Sequence, residues 1–348
     1  MIVQTLGDLC LEGARIYKSR KALELCRGDR LLETVSFRTL ALRARQLACL
    51  FRSLGVERGG RIMILAENRP EWPIALFGAA LAGAASLPLS PAAGESCRGN
   101  CRGIEKGVSA LCVTERTAEL AAALDSALPR IYLDSPAAEK QAAWTSILVS
   151  IGGIQRRLPL SSRPDPPALS QDGGDPGAAL PAIVWPDGGQ SSHRELLSLI
   201  AAPPYPRLFP RDRLLPLCSL AEQGALVLAV LAAVRGGASL SCVEGTRGEA
   251  DITELLGAAA VLHPTVLAGG GEVLETLLGR NIRAENFFFR NPLTRPLAMS
   301  LAGRKIIKSL GGNLRYYGVT GGEALNGNTE ENLRRIRLPG AALVARNN

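Results

Sequence analysis

Apolar positions in the first 150 residues alternate between a helical period and short continuous runs. Leu40, Leu47 and Phe51 recur at helical spacing after Ser36, a residue type that caps helix N-termini, and this predicts a helix over 36–54. Short apolar runs bounded by Gly or Asn are typical of buried strands. The pattern as a whole predicts helices at 36–54, 71–83 and 117–127 and strands at 61–66, 84–89, 108–113 and 130–133.

A second series of elements follows a stretch rich in Pro, Gly, Ser and Asp over residues 152–180, which we interpret as a linker or loop. We therefore divide the chain into a first α/β lobe (1–151), this linker and a second α/β lobe (181–348). Alternating helices and strands of this kind are typical of a parallel sheet covered by helices. In the second lobe we predict strands at 181–185, 214–217, 238–243, 259–262 and 313–319 and helices at 193–201, 222–235, 272–279 and 297–310.

Composition excludes several classes of protein. Of the 348 residues, 47% are hydrophobic and 21% are charged, so the chain is not disordered as a whole. The net charge of +8 comes from scattered residues without interleaved aromatic side chains, and we expect no nucleic-acid partner. The longest apolar run, at 74–89, is short for a bilayer span and contains Pro88. We expect a cytoplasmic protein with peripheral membrane association at most.

Cysteine and histidine are placed unfavourably for a metal centre. The eight Cys include no Cys-x-x-Cys pair, and the chain has only two His. We therefore predict free thiols and no metal ligands. The 40 basic residues include only six Lys, and residues 141–304 contain none. Chemistry on phosphate groups often uses a lysine, and residues 141–304 cannot supply one.

Several segments, taken in order, carry a resemblance that extends over nearly the whole chain. They are Thr34–Leu40, Leu54–Leu65, Glu67–Trp72, Ala82–Pro91, Asp212–Glu222, His263–Leu267, Gly311–Arg315 and Thr320–Asn326. Together these segments resemble one family, the AMP-forming acyl-activating (adenylate-forming) enzymes, and are closest to long-chain fatty-acyl-CoA synthetases.

The resemblance implies the large N-terminal domain of such an enzyme, built from two packed α/β lobes. Enzymes of this family join a fatty acid or other carboxylate to ATP, release pyrophosphate and pass the acyl group from AMP to CoA with Mg²⁺. A split C-terminal half or a complete synthetase would be the expected protein partner. By resemblance, nucleotide binding is assigned to Gly188, Gly189, Ser192, His193, Gly321, Gly322 and Glu323, and an acyl-gate segment to Ser219 and Glu222; no catalytic residue is assigned.

The sequence departs from the family pattern at three places. The family's phosphate cradle, rich in Gly, Ser and Thr and ending in Lys-Gly, is shortened here to Trp185–Ser191, with Asp187 where polyphosphate would lie. Ser219 occupies the usual place of a His. The family's Tyr-Gly-x-Thr-Glu segment, hinge and lysine-bearing C-terminal domain do not follow residue 322, so we expect a truncated chain.

These features leave alternatives open for each candidate residue. His193 is either a ligand-binding residue or part of a helix start, and Gly188-Gly189 either holds phosphate or forms a tight turn. Glu222 either belongs to a ligand site or favours a helix dipole. The segment 321–323 is either an adenine-binding loop or inherited backbone geometry.

Two hypotheses for function follow. The first is an AMP-forming fatty-acid–CoA ligase. The second is a non-catalytic paralogue that binds an acyl chain, a nucleotide or another protein. Loss of a single charge-stabilising donor typically costs about 10²–10³-fold in rate, so the departures make catalysis by this chain doubtful.

Overall fold

A computed structural model describes residues 2–96, 107–124, 127–135, 137–138, 144–165, 180–201, 206–244, 252–269, 291, 293–319 and 341–343. Its helices are α1 (Leu6–Tyr17), α2 (Phe37–Ser53), α3 (Glu71–Ala82), α4 (Pro91–Ser96), α5 (Ala118–Leu124), α6 (His193–Leu199), α7 (Gln223–Ala225, Leu226–Ala232 and Ala233–Gly236), α8 (Ile252–Leu262) and α9 (Arg295–Ser309). The middle part of α7, Leu226–Ala232, is a π-helix.

The strands form two sheets. They are β1 (Lys21–Arg27), β2 (Arg30–Ser36), β3 (Arg61–Leu65), β4 (Ala85–Leu89), β5 (Val108–Val113), β6 (Arg130–Tyr132), β7 (Ala137–Ala138), β8 (Trp144–Ile151), β9 (Ile154–Pro159), β10 (Pro181–Val184), β11 (Gln190–Ser192), β12 (Arg213–Pro216), β13 (Ser239–Val243), β14 (Val266–Gly269), β15 (Tyr316–Val319) and β16 (Ala341–Leu343). One sheet has the order β16-β15-β14-β12-β13-β1-β2, and the other β11-β10-β4-β3-β5-β6-β8-β7, with β9 beside β8.

The predicted α/β fold is confirmed, with its strands in two sheets, and the local pattern located most elements well. Ser36 caps α2 by accepting a hydrogen bond from the Thr39 N–H. Helix α3 is buried on nearly its whole circumference. A helix that is apolar all round belongs in a core, and α3 shares one hydrophobic cluster with strands of both sheets.

One predicted strand is wrong. Residues 259–262 form the last turn of α8, not a strand. A short apolar run fits a buried helix as well as a strand, and only the length of the element distinguishes them. The N-terminal helix α1 and the hairpin β1–β2 were not predicted, and the predicted helix 272–279 lies outside the described residues.

The two sheets do not follow the division of the chain at residues 151 and 181. The hairpin β1–β2, near the N-terminus, joins the sheet of the second lobe through parallel pairing of β1 with β13. Strands β10 and β11 join the sheet of the first lobe through β4. Strand β9 pairs with β8, so the start of the predicted linker 152–180 is part of a sheet. Pairing between distant segments leaves no local trace in a sequence.

Candidate functional site

The segment assigned to the phosphate cradle is the turn of a β-hairpin. Residues 185–189 connect the antiparallel strands β10 and β11. Gly188 has φ +91°, a conformation that favours glycine because a side chain there is strained. Residues 185–189 therefore have the geometry of a tight turn.

The polar groups of this turn bond to each other. The Gly188 N–H donates to the Trp185 carbonyl oxygen at 2.9 Å, and the Trp185 N–H donates to the Gly189 carbonyl oxygen at 2.7 Å. Asp187 Oδ1 accepts the Gly189 N–H at 2.9 Å. A phosphate cradle works by aiming unoccupied backbone N–H groups at the anion. Both glycine amides of this turn already have acceptors, so the turn as built does not fit a polyphosphate.

Electrostatics beside the turn point the same way. A cleft of about 810 Å³ adjoins it, with Trp185, Gln190 and Gln223 among its described lining residues. The ionisable side chains in that lining are the carboxylates Asp187 and Glu195. Two carboxylates in one cleft repel a polyphosphate. Arg194, which in the sequence is placed to offset Asp187, is not among the lining residues described.

Ser192 and His193 begin helix α6. The Ser192 side chain accepts the Glu195 N–H, and the Glu195 carboxylate accepts the Ser192 N–H at 2.7 Å, so the two residues form a capping box. His193 is 5% exposed, and its Nδ1 accepts the N–H of Leu6 at 3.2 Å. That N–H is the first of helix α1, which has no partner inside its own helix. His193 therefore joins the starts of two helices.

The acyl-gate segment is a tight turn that leads into α7. The Ser219 N–H donates to Glu222 Oε1 at 3.2 Å, and the Ser219 hydroxyl accepts the Ala221 N–H. Glu222 therefore stabilises the turn before the helix, in addition to any effect on the helix dipole. Beside this turn, burial raises the pKa of Tyr317, and the nearby Cys218 thiol adds to the rise.

Asn68 holds the gate segment from the other side. Its Nδ2 donates to the Cys218 carbonyl oxygen at 2.7 Å, and its Oδ1 accepts the Leu220 N–H at 2.8 Å. Asn68 is 6% exposed, so both hydrogen bonds are shielded from solvent. Sequence reasoning placed Asn68 in a similar segment but gave it no role. The available signal was a polar residue shortly after the end of a buried strand, where a buried side chain needs a hydrogen-bond partner.

Charged residues surround Asn68 after the end of β3. Glu67 accepts the Thr114 hydroxyl at 2.8 Å, and its other oxygen lies 3.4 Å from Arg116 Nε. Arg69 Nε donates to Glu71 Oε2 at 2.7 Å, and Glu71 is 5% exposed. Each carboxylate has a cationic partner, so this cluster positions the loop that carries Asn68.

Three candidate residues, Gly321, Gly322 and Glu323, lie outside the described residues. Across the part of the chain that is described, no group of three His, Cys, Asp or Glu residues is close enough to hold a metal ion. The six described cysteines are free thiols. Among the described helices, none combines the length and apolar character needed to cross a bilayer.

Comparison with known proteins gives one family match. The model of the AMP-binding enzyme family matches residues 14–152. An adenylate-forming reductase of Coprinopsis cinerea is 36% identical over 80 residues, which is 23% of this chain and 8% of that protein. The chain thus matches a small part of the curated relative's length.

Solved structures share the fold over nearly the whole chain. The N-terminal domain of FACL13 from Mycobacterium tuberculosis has a TM-score of 0.63 and 16% identity, covering 98% of this chain and 76% of that one. Coronafacic acid ligase from Pectobacterium brasiliense has a TM-score of 0.64 and 15% identity, with coverages of 98% and 61%. O-succinylbenzoate coenzyme A synthetase from Bacillus subtilis has a TM-score of 0.62 and 16% identity, covering 96% of this chain and 59% of that one. At these identities the similarity shows the fold.

Proposed function

We propose that this chain, which has the fold of the adenylate-forming enzymes and matches their AMP-binding family over residues 14–152, is a non-catalytic member that binds an acyl ligand. The observation that carries the proposal is the hairpin turn at residues 185–189. Its glycine amides are bonded within the turn, and the adjoining cleft is lined by Asp187 and Glu195. ATP and Mg²⁺ serve the family through a polyphosphate site, and this turn lacks the groups for it.

The acyl side of the family site supports the binding half of the proposal. The segment from Cys218 to Glu222 is held by the buried side chain of Asn68 and by the Glu222 carboxylate. Two buried hydrogen bonds from one side chain keep the backbone of this segment in one conformation. A fatty acid is the carboxylate ligand that we propose for it, because the sequence is closest to long-chain fatty-acyl-CoA synthetases.

An ATP–pyrophosphate exchange assay tests the catalytic half. The full chain, shown to be folded by a cooperative melt, is incubated with Mg²⁺, ATP, labelled pyrophosphate and a panel of fatty acids. We expect exchange no faster than in the protein-free blank. Exchange that requires both the chain and a fatty acid would overturn the proposal.

Calorimetry tests the binding half. Titration with palmitate is expected to give saturable heat, whereas ATP with Mg²⁺ gives none. An Asn68→Ser variant that remains folded is compared with the wild-type chain. The substitution shortens the side chain that holds the gate segment, so we expect it to weaken palmitate binding. Absence of palmitate binding to the folded wild-type chain would contradict this half.

A second candidate is an active fatty-acid–CoA ligase, favoured by similarity to the structure of coronafacic acid ligase over nearly the whole chain. This chain covers 61% of that structure, so residues outside it could complete a site. Under this candidate a C-terminal half or a complete synthetase would be the partner. Exchange activity that appears only when such a partner is added would favour it.

A further inference from the structure

A cavity of about 610 Å³ opens where the loop 206–212 passes the ends of α1 and α7. Two aromatic side chains line the cavity, Tyr17 from α1 and Phe209 from the loop. Arg207 and Arg235 line it as well. It shares no described lining residue with the cleft beside the hairpin turn at 185–189.

Most of the positive charge around this cavity has no acidic partner among the described residues. Guanidinium groups of Arg207, Arg211 and Arg315 lie 5.6, 5.8 and 5.7 Å from the centre of the Phe209 ring. Arg315 is paired with the buried Asp212, with 2.7 Å between Nη2 and Oδ2. The side chains of Arg207, Arg211 and Arg235 make no ion pair among the described residues. Positive side chains gathered around one ring raise the local potential, so the cavity favours an anion.

A largely apolar groove of about 260 Å³ continues from the cavity, because Tyr17 and Arg235 line both. The carboxylate among its described lining residues is Glu12, which is paired with Arg15 at 2.6 Å. Ile16 on its wall is 50% exposed, which leaves apolar surface open in the groove that Arg235 also lines. The other apolar wall residues come from the N-terminal segment and from α1, α6 and α7. They are Val3, Leu9, Leu197 and Val234.

The junction between groove and cavity is fixed in place. The Tyr17 hydroxyl donates to the Arg235 carbonyl oxygen at 2.9 Å, and the Tyr17 ring packs on Phe37 with 5.0 Å between ring centres. Gly237 has φ +73°, and a Cβ atom there would overlap the Tyr17 ring. The absence of a side chain at 237 therefore lets the tyrosine close one wall. A preformed site loses less conformational entropy on binding.

We propose that cavity and groove together bind a single-chain amphiphile with a phosphate-bearing head group. The acyl chain lies in the groove along Ile16, and the phosphate lies between Arg207 and Arg235. Guanidinium groups bind phosphate oxygens through paired N–H donors, and several unpaired arginines suit a phosphate better than a singly charged carboxylate. A membrane surface is less suitable, because the apolar side chains line a depression. This site is independent of the proposed function.

Calorimetric titration of the full chain with palmitoyl lysophosphatidic acid, below its micelle concentration, tests the proposal. The double variant Arg207→Gln/Arg235→Gln removes the charge at the head-group position, and Arg58→Gln/Arg156→Gln makes the same charge change at two exposed arginines elsewhere. We expect the first variant to weaken binding at least about tenfold and the second to leave it within about twofold. Ile16→Ser, in the groove, removes apolar surface without adding charge, and it is expected to weaken binding of the lipid without changing the affinity for inorganic phosphate.

Several results would overturn the proposal. Equal weakening by both double variants would mean that net charge alone attracts the lipid. Inorganic phosphate bound as tightly as the lysophospholipid would mean that the groove contributes nothing. Binding to phosphatidic acid vesicles without binding to the monomeric amphiphile would make the surface a membrane site. Arg207→Lys keeps the charge and the fold but not the paired donors, so it is expected to bind with intermediate affinity; wild-type affinity would contradict the head-group assignment.

Discussion

His193 Nδ1 accepts the backbone N–H of Leu6 at 3.2 Å, across 187 positions of sequence. The bond joins the first turn of α1 to the first turn of α6. A residue that resemblance assigns to nucleotide binding is thereby buried between two helices. Its effect on stability can be measured separately from any effect on ligand binding.

We expect His193→Ala to lower the free energy of unfolding by about 1–3 kcal/mol, because a buried N–H loses its acceptor. Urea unfolding measures the change. His193→Asn is the matched control, since its Oδ1 atom can accept the same bond, and it is expected to recover part of the loss. An alanine variant as stable as the wild-type chain would show that the bond contributes nothing.

Asn68→Ala is expected to be among the more destabilising single substitutions in the first lobe. It leaves the Cys218 carbonyl and the Leu220 N–H without their bonds. The cost of an unsatisfied buried group is about 1–3 kcal/mol each, provided the loop does not move. Urea unfolding monitored by tryptophan fluorescence gives the value. A loss below about 0.5 kcal/mol would mean that the gate segment is not held by this side chain.

Asp187→Asn separates charge from geometry at the hairpin turn. The asparagine Oδ1 still accepts the Gly189 N–H, while the negative charge disappears. We expect ATP titration to show no binding to this variant, because the amides remain occupied. Binding of ATP to Asp187→Asn would show that repulsion by the carboxylate, and not the closed turn, is the obstacle.

Buried thiols make stability fall at high pH. Burial raises the pKa of Cys10 from 9.0 to about 12, and it also raises the pKa of Cys112 and Cys242. Between pH 9.0 and about 12 the Cys10 thiol has lost its proton in the unfolded chain but keeps it in the folded chain. The free energy of unfolding therefore falls as pH rises above 9.0. The contribution is fully present below that pH.

The expected slope is up to about 1.4 kcal/mol per pH unit for each such thiol. Urea unfolding at a series of alkaline pH values measures it. Cys10→Ala is the control, and it should reduce the slope by the share of one thiol. An unchanged slope in that variant would mean that Cys10 ionises equally in both states.

The extent to which the sequence anticipated the site differs among its residues. At Gly188-Gly189, turn chemistry was recognisable, because Asp-Gly-Gly after an apolar strand is a turn signal. The partners of His193 and Asn68 were not recognisable, because Leu6 and Cys218 lie far away in the chain. Likewise the basic cavity combines Tyr17, Arg207 and Arg235 from three separate segments. Residue types and spacing carry no information on contacts of that range.

The sequence alone determined the alternation of helices and strands, the α/β class and the resemblance to adenylate-forming enzymes. Those follow from local periodicity and from residue order, which every stretch of chain carries within itself. Tertiary structure decided which sheet each strand joined, that the glycine turn was closed by its own amides and that His193 was used in the scaffold. Each of these depends on a hydrogen-bond partner. For the strands and for His193 that partner is distant in sequence. A buried polar group needs a hydrogen-bond partner, and only the folded chain shows where the partner lies.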